Sequence, residues 1–244
     1  MNNSNVARPL CTEGHSPLKA IVFDIDGTLY RQSTLRRAML GRLLRVHARH
    51  PLRGWRTARV LRAYRHAQER LRSTVTEGDV SVAQITLTCQ ETRVDRRSVL
   101  DCVSRWMEQE PLQFLSQCLQ PGVIEFLETC RRRGLRLGAL SDYPAEAKLE
   151  ALGLSALFDV VLCAQAPEVN VFKPNPRGLL LALERLGAAR AETLYVGDRL
   201  DVDVPTAAAA GVRCAIVTRR ATASARGAHI EVSSYSQLQD VLWR

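Results

Sequence analysis

The chain has 244 residues, a formal net charge of +9 and a hydrophobic fraction of 46%. That length fits one large domain or a domain carrying an insertion, and that apolar content excludes a disordered chain. No apolar run reaches the ~18 residues of a membrane-spanning helix, and the seven cysteines, scattered with no close pair, match neither a disulfide framework nor a zinc site. They read as reduced thiols of a cytoplasmic protein. Among the basic residues only Lys19, Lys148 and Lys173 are lysines. Coding bias alone can produce such an excess of arginine, which weakens any nucleic-acid reading from charge and makes each lysine worth inspection.

Residues 1–18 are polar and lack the apolar centre of a signal peptide, so they are expected to form a loose tail. The run Ala20-Ile21-Val22-Phe23 reads as a buried parallel strand. It ends in Asp24-Ile25-Asp26-Gly27-Thr28. Two acids one residue apart at the carboxyl end of a strand stand where open α/β sheets place their ligands. They would repel if unpaired, and a cation is their natural partner. The rhythm then becomes helical. Leu35, Ala38, Met39, Leu43 and Val46 share one face. A second amphipathic stretch runs from about Trp55 to Leu71. Val82, Ile85 and Cys89 mark a third helix, and Asp95 caps a fourth carrying Val99, Val103, Trp106 and Met107. Pro111 starts a short fifth. No strand is expected between Arg31 and Gln120, so 31–120 reads as a helical insertion.

From Pro121 the pattern alternates. Helices are expected over 123–133, 145–152, 176–186, 204–210 and 236–242, several closed by glycine. Strands are expected over 135–140, 160–163, 193–196 and 214–217. Alternation at this spacing predicts an α/β fold, a doubly wound and mostly parallel Rossmann-like sheet. Polar groups end three of its strands: Asp24 and Asp26, Ser141 and Asp142, and Asp198. Lys173 lies on a connecting loop.

FDIDGTL at 23–29, LSD at 140–142, FKP at 172–174 and GDRLDVD at 197–203 occur in the order and near the spacing of the haloacid dehalogenase (HAD) superfamily. The sequence resembles that superfamily, and in particular phosphoglycolate phosphatase-like members with a helical cap inserted after the first motif. The resemblance implies a HAD-like core at 19–30 and 121–244 with a cap at 31–120. It implies Asp24 as the nucleophile, forming an aspartyl-phosphate, and Asp26 as general acid and then base. It implies Mg²⁺ held by the Asp24 carboxylate, the Asp26 backbone carbonyl and the Asp198 carboxylate, with Asp203 acting through water. Asp201, the competing acid, reads as a solvated charge near a helix start. Ser141, the Asp142 amide and Lys173 would bind the phosphoryl group. Members that dehalogenate carbon lack the second acid, so Asp26 points to phosphate esters.

Thirteen arginines and one acid, Glu69, fall between Arg31 and Thr76. Either they form a solvated helix face, or the cap selects a polyanionic substrate or a phosphate on an acidic carrier protein. Arg31, Arg36 and Arg37 lie nearest the first motif and are the candidate substrate contacts. An anionic membrane surface could use the same helices, and no nucleic-acid motif accompanies the charge. The expected function is a Mg²⁺-dependent phosphatase acting on a small phosphorylated metabolite. A phosphomutase or phosphotransferase on the same core, and a catalytically inactive binding module, are the alternatives.

Overall fold

The computed structural model describes residues 17–74, 78–218 and 229–243. The expected tail lies outside the described residues as far as Ser16, and Cys11 lies outside with it. The centre of the fold is the strand β1 (Ala20–Phe23), every residue of which is buried. It pairs in parallel with β2 (Arg136–Ser141) on one side and β4 (Thr193–Gly197) on the other. Beyond these lie β3 (Val160–Cys163), β5 (Arg213–Val217) and β6 (His229–Val232), giving the order β3-β2-β1-β4-β5-β6, parallel throughout. Because successive side chains on a strand point to opposite faces, β1 feeds two cores at once. Ile21 and Phe23 pack in one, and Ala20 and Val22 in the other.

The first core is covered by α6 (Val123–Arg132), α7 (Glu146–Ala151) and α10 (Tyr235–Trp243), and the second by α8 (Arg177–Leu186) and α9 (Asp203–Ala210). These helices and four of the six strands lie within a few residues of their expected spans, and β3 matches its span at both ends. Gly134, Gly153, Gly187 and Gly211 all take positive φ just beyond their helices, as the glycine stops imply. The strand β6 was not foreseen: His229-Ile230-Glu231-Val232 is too short and too polar to announce itself, and it sits at the sheet edge, where only one flank needs pairing.

Between β1 and α6 the chain forms α1 (Gln32–Val46), α2 (Pro51–Arg72), α3 (Val80–Thr92), α4 (Arg96–Val103) and α5 (Leu112–Leu115). No strand interrupts them among the described residues; a lone bridge between Tyr30 and Leu119 joins the two ends of the segment. The Asp79 carboxylate accepts from the amides of Ser81 and Val82 at the start of α3, and that of Asp95 from the Ser98 amide at the start of α4. Val60, Tyr64, Ile85, Val94, Val99 and Val103 form a core of the segment's own. Trp106 and Met107, expected on the fourth helix, lie instead on the wider π-helical turn Ser104–Gln109 that continues it.

Phe126 on α6 is buried against Phe23, Tyr235 and Trp243, with ring centroids 5.2 to 6.2 Å apart. It ties β1 to α6 and α10. Phe126→Ala should therefore cost about 3–5 kcal/mol in urea denaturation. A loss under about 1 kcal/mol would show that this face does not hold the sheet.

Candidate active site

The register sets Phe23 level with Ala139 and Val196, so the chain leaves β1, β2 and β4 at one edge of the sheet. Asp24, Ser141 and Asp198 stand at that edge. Two glycines make the approach feasible. Gly27 has φ +109°, and a Cβ there would run into the Asp198 carboxylate. A Cβ on Gly197 would run into the Asp203 carboxylate. Each acid occupies space that only glycine leaves open.

Lys173 is the hub of the site. It is 4% exposed, and its Nζ lies 2.6 Å from Asp24 Oδ1, 2.8 Å from Asp203 Oδ1 and 3.1 Å from the Tyr195 hydroxyl. The second oxygen of Asp24 accepts from the Thr28 hydroxyl at 3.0 Å. Asp203 Oδ2 accepts from the amides of Asp198 and Arg199 at 3.1 and 3.0 Å, so both of its oxygens are taken by protein groups. Burial pushes the Asp24 carboxyl well above the usual range, opposed by Lys173 and reinforced by its acidic neighbours. Burial also works against the Asp203 carboxylate, but Lys173 and the amide donors hold its carboxyl below the usual range.

Asp26 is organised by a separate cation. Lys148 Nζ lies 2.7 Å from both carboxylate oxygens. The Tyr30 hydroxyl also donates to Asp26, and the Ser141 hydroxyl donates to Oδ2 at 3.2 Å. Burial raises the Asp26 carboxyl, but Lys148 and these hydrogen bonds outweigh it and leave it below the ordinary value. Asp142 turns its carboxylate toward Arg72 of α2, at 2.7 Å, and toward the Lys173 amide, at 3.3 Å. Arg72 also donates to the Lys173 carbonyl at 2.6 Å. A second link joins Arg199, after β4, to Glu69 of α2 at 2.9 Å. Asp201 is exposed and pairs with Arg199.

The structure thus gathers Asp24, Asp26, Ser141, Asp142, Lys173, Asp198 and Asp203 at one sheet edge. Asp24, Asp198 and Asp203 offer carboxylate oxygens within 4.8 Å of one another, close enough to hold a metal ion. Of the three arginines proposed to contact substrate, Arg36 lines the adjoining cavity and Arg31 and Arg37 do not. Arg62, Arg65 and Arg72 line it instead. Lys148 and Arg72 are among the site residues that sequence reasoning did not assign. The rarity of lysine was the available signal for the first; the abundance of arginine hid the second.

A model of the haloacid dehalogenase-like hydrolases matches residues 18–211. The chain belongs to this family. It is 30% identical over 198 residues to the glyceraldehyde 3-phosphate phosphatase of Methanopyrus kandleri, covering 80% of this chain and 82% of that protein. It is 28% identical over 207 residues to the N-acetylmuramic acid 6-phosphate phosphatase of Pseudomonas aeruginosa, covering 82% and 81%. The crystal structure of a HAD phosphatase from Thermococcus onnurineus superposes with a TM-score of 0.58 at 22% identity, over 92% of this chain and 97% of that one. The superposition shows the shared fold; the family match and the relatives identify a HAD-type phosphoric monoester hydrolase.

Two predictions concern the metal-free protein. Lys173→Met strands Asp24 and Asp203 as buried acids without their cation, and should cost about 3–5 kcal/mol in denaturant titrations with chelator; an unchanged midpoint would refute the hub. Burial and the nearby Asp203 raise the Asp198 carboxyl to about 7, against ~3.9 for an unfolded aspartate. Between these values the native state holds more protons than the unfolded state, so stability should fall as pH rises from about 4 to about 7. Asp24 shifts in the same direction, and the lowered Asp26 and Asp203 keep their full contribution above pH ~4. Thermal melts in chelator that gain stability across that window would contradict this.

Proposed function

We propose that this hydrolase is a Mg²⁺-dependent phosphatase that transfers the phosphoryl group of a small phosphorylated metabolite to Asp24 and then to water. The observation that carries the reading is the division of labour between two lysines. Lys173 holds the acid at the end of β1, and Lys148 holds the acid two residues later. Paired acids with different partners are how one site separates a nucleophile from an acid/base.

In the first step an Asp24 carboxylate oxygen forms a bond to phosphorus and the ester P–O bond breaks. Lys173 and the Ser141 hydroxyl offset the charge of the transferring group, with the Asp142 amide as a further donor. Asp26 gives its proton to the departing alkoxide. In the second step Asp26 takes a proton from water, which attacks the aspartyl-phosphate and frees Asp24. Asp26 rests as a carboxylate beside Lys148 and must gain a proton before the first step, while Asp24, whose carboxyl burial raises, must be ionised for it. The arriving phosphate competes for the Lys148 ammonium, which weakens the hold that keeps Asp26 ionised.

The residues fit a divalent cation. Asp198 lies against Asp24 and Asp203, yet no cationic side chain pairs with it among the described residues. Asp24, Asp198 and the Asp26 carbonyl would hold Mg²⁺, with Asp203 acting through water. When bound, the ion supplies charge neutralisation at the transferring phosphoryl group. The helices of 31–120 act as the cap, tied to the core by Arg72–Asp142 and Arg199–Glu69. Arg36, with Arg62 and Arg65, carries the preference for anionic substrates.

Phosphate release should be measured across phosphorylated metabolites with Mg²⁺ and with chelator. Release that needs the metal and drops by about 10³-fold or more in Asp24→Asn is expected for loss of a nucleophile. Isomerised product without phosphate would replace hydrolysis by a mutase reaction. Mg²⁺ binding by calorimetry should weaken at least tenfold in Asp198→Asn, and equal affinity would remove Asp198 from the metal site.

A further inference from the structure

The cavity that opens from Asp24 and Asp26 has a volume of about 560 Å³. That volume lies in the range of pockets that enclose drug-sized molecules. The glyceraldehyde 3-phosphate of one relative's name has only three carbons. The cavity's two helical walls show where the excess space lies.

One wall is α1. Gln32, at its start, donates to the Asp26 carbonyl at 3.4 Å, so this end of the helix marks the reacting centre. Leu35 and Arg36, Met39 and Leu40, and Leu43 line the cavity in turn. These are successive steps along one helical face. At 1.5 Å per residue the lining reaches about 16 Å from Gln32. The other wall is α2. Its Arg72 touches Asp142 beside the centre, and Gln68, Arg65, Arg62, Leu61 and Ala58 follow outward at helical spacing. That face extends for about 21 Å.

Both walls change character in the same direction. Near the chemistry they present Gln32, Leu35, Arg36, Gln68 and Arg72, with Glu69 neutralised by Arg72 and Arg199. Midway, Arg62 and Arg65 have no carboxylate partner among the described residues. Beyond them the lining is Met39, Leu40, Leu43, Ala58 and Leu61, joined from the π-helical turn by Trp106, itself 6% exposed, by Met107 and by the carboxylate of Glu108. Leu40 is 57% exposed although it lies on the cavity wall. An apolar surface of this kind, left open to solvent and continuous with a cationic throat, marks a binding site rather than a core.

We propose that the substrate is an amphiphilic phosphomonoester, with its phosphate at Lys173 and Ser141 and an apolar tail lying between α1 and α2 against Trp106. The inference rests on the phosphatase reading and adds the chemistry of the leaving group. A short sugar phosphate would fill only the cationic throat. A purely polyanionic substrate would leave the outer half of both walls in water.

The test is a series of n-alkyl phosphates from ethyl to octyl, assayed with Mg²⁺ below micelle-forming concentrations. kcat/KM should rise about two- to fourfold per methylene until the chain outgrows the cavity. In parallel, calorimetry should show the same trend in affinity for the non-hydrolysable n-alkylphosphonates. Rates and affinities that are flat or fall with chain length overturn the amphiphilic substrate and leave the phosphatase intact. Rising phosphonate affinity without phosphate release from any member sinks the phosphatase reading and keeps the apolar channel. Leu43→Asp should flatten the octyl-to-ethyl ratio, and the exposed Leu40→Ser provides the same check if the first variant does not fold. A ratio unchanged in the folded variant overturns the placement of the tail.

Discussion

The ion pairs of Lys173 hold this site together. A buried ammonium against two buried carboxylates is costly to desolvate, and it persists only because each partner is also hydrogen-bonded. Thr28 takes the far oxygen of Asp24, backbone amides take that of Asp203, and Tyr195 takes a further position on the ammonium. Four elements meet there: the end of β1, the loop before α8, the strand β4 and the start of α9. The glycines at 27 and 197 clear the volume, and the parallel register fixes the height at which the acids meet.

Charge is not balanced within this cluster. Asp24, Asp26, Asp198 and Asp203 face Lys148 and Lys173, and the lysines leave Asp198 unpaired among the described residues. An acid cluster with surplus negative charge at the floor of a cavity attracts a cation; the cationic throat above it attracts an anion. A phosphomonoester and its metal together satisfy both. Arg72 joins the helical segment to this arrangement, since one guanidinium spans the Asp142 carboxylate and the Lys173 carbonyl. Movement of that segment is therefore felt at Lys173.

Much of this was legible in the sequence because the chemistry sits on strand ends. The run Ala20–Phe23 is uniformly apolar, and the polar residues that follow it, like those ending β2 and β4, mark where the sheet stops. Glycine stops located the helices to within a few residues. The strand β6 was not legible: His229 and Glu231 break the apolar run, and only pairing with β5 makes it a strand. Lys148 could not be assigned because its partner is 122 residues away and meets it only when α7 packs beside β1. Arg72 was hidden differently. In a segment with thirteen arginines, nothing local separates the one that docks on the core from those that face solvent. The walls of the cavity were written in the helical periodicity of α1 and α2, but the same apolar spacing reads as core until the fold shows which face is left open.

The most direct test of the account is whether Asp24 carries the phosphoryl group. The enzyme, with Mg²⁺ and a substrate it turns over, should be quenched in acid during turnover, digested, and its peptides examined by mass spectrometry. The account predicts one phosphoryl group on Asp24 and none on Asp26 or Asp198. Turnover with Asp24 unmodified under quench conditions that preserve a synthetic acyl phosphate, or with the phosphoryl group on another residue, would contradict it.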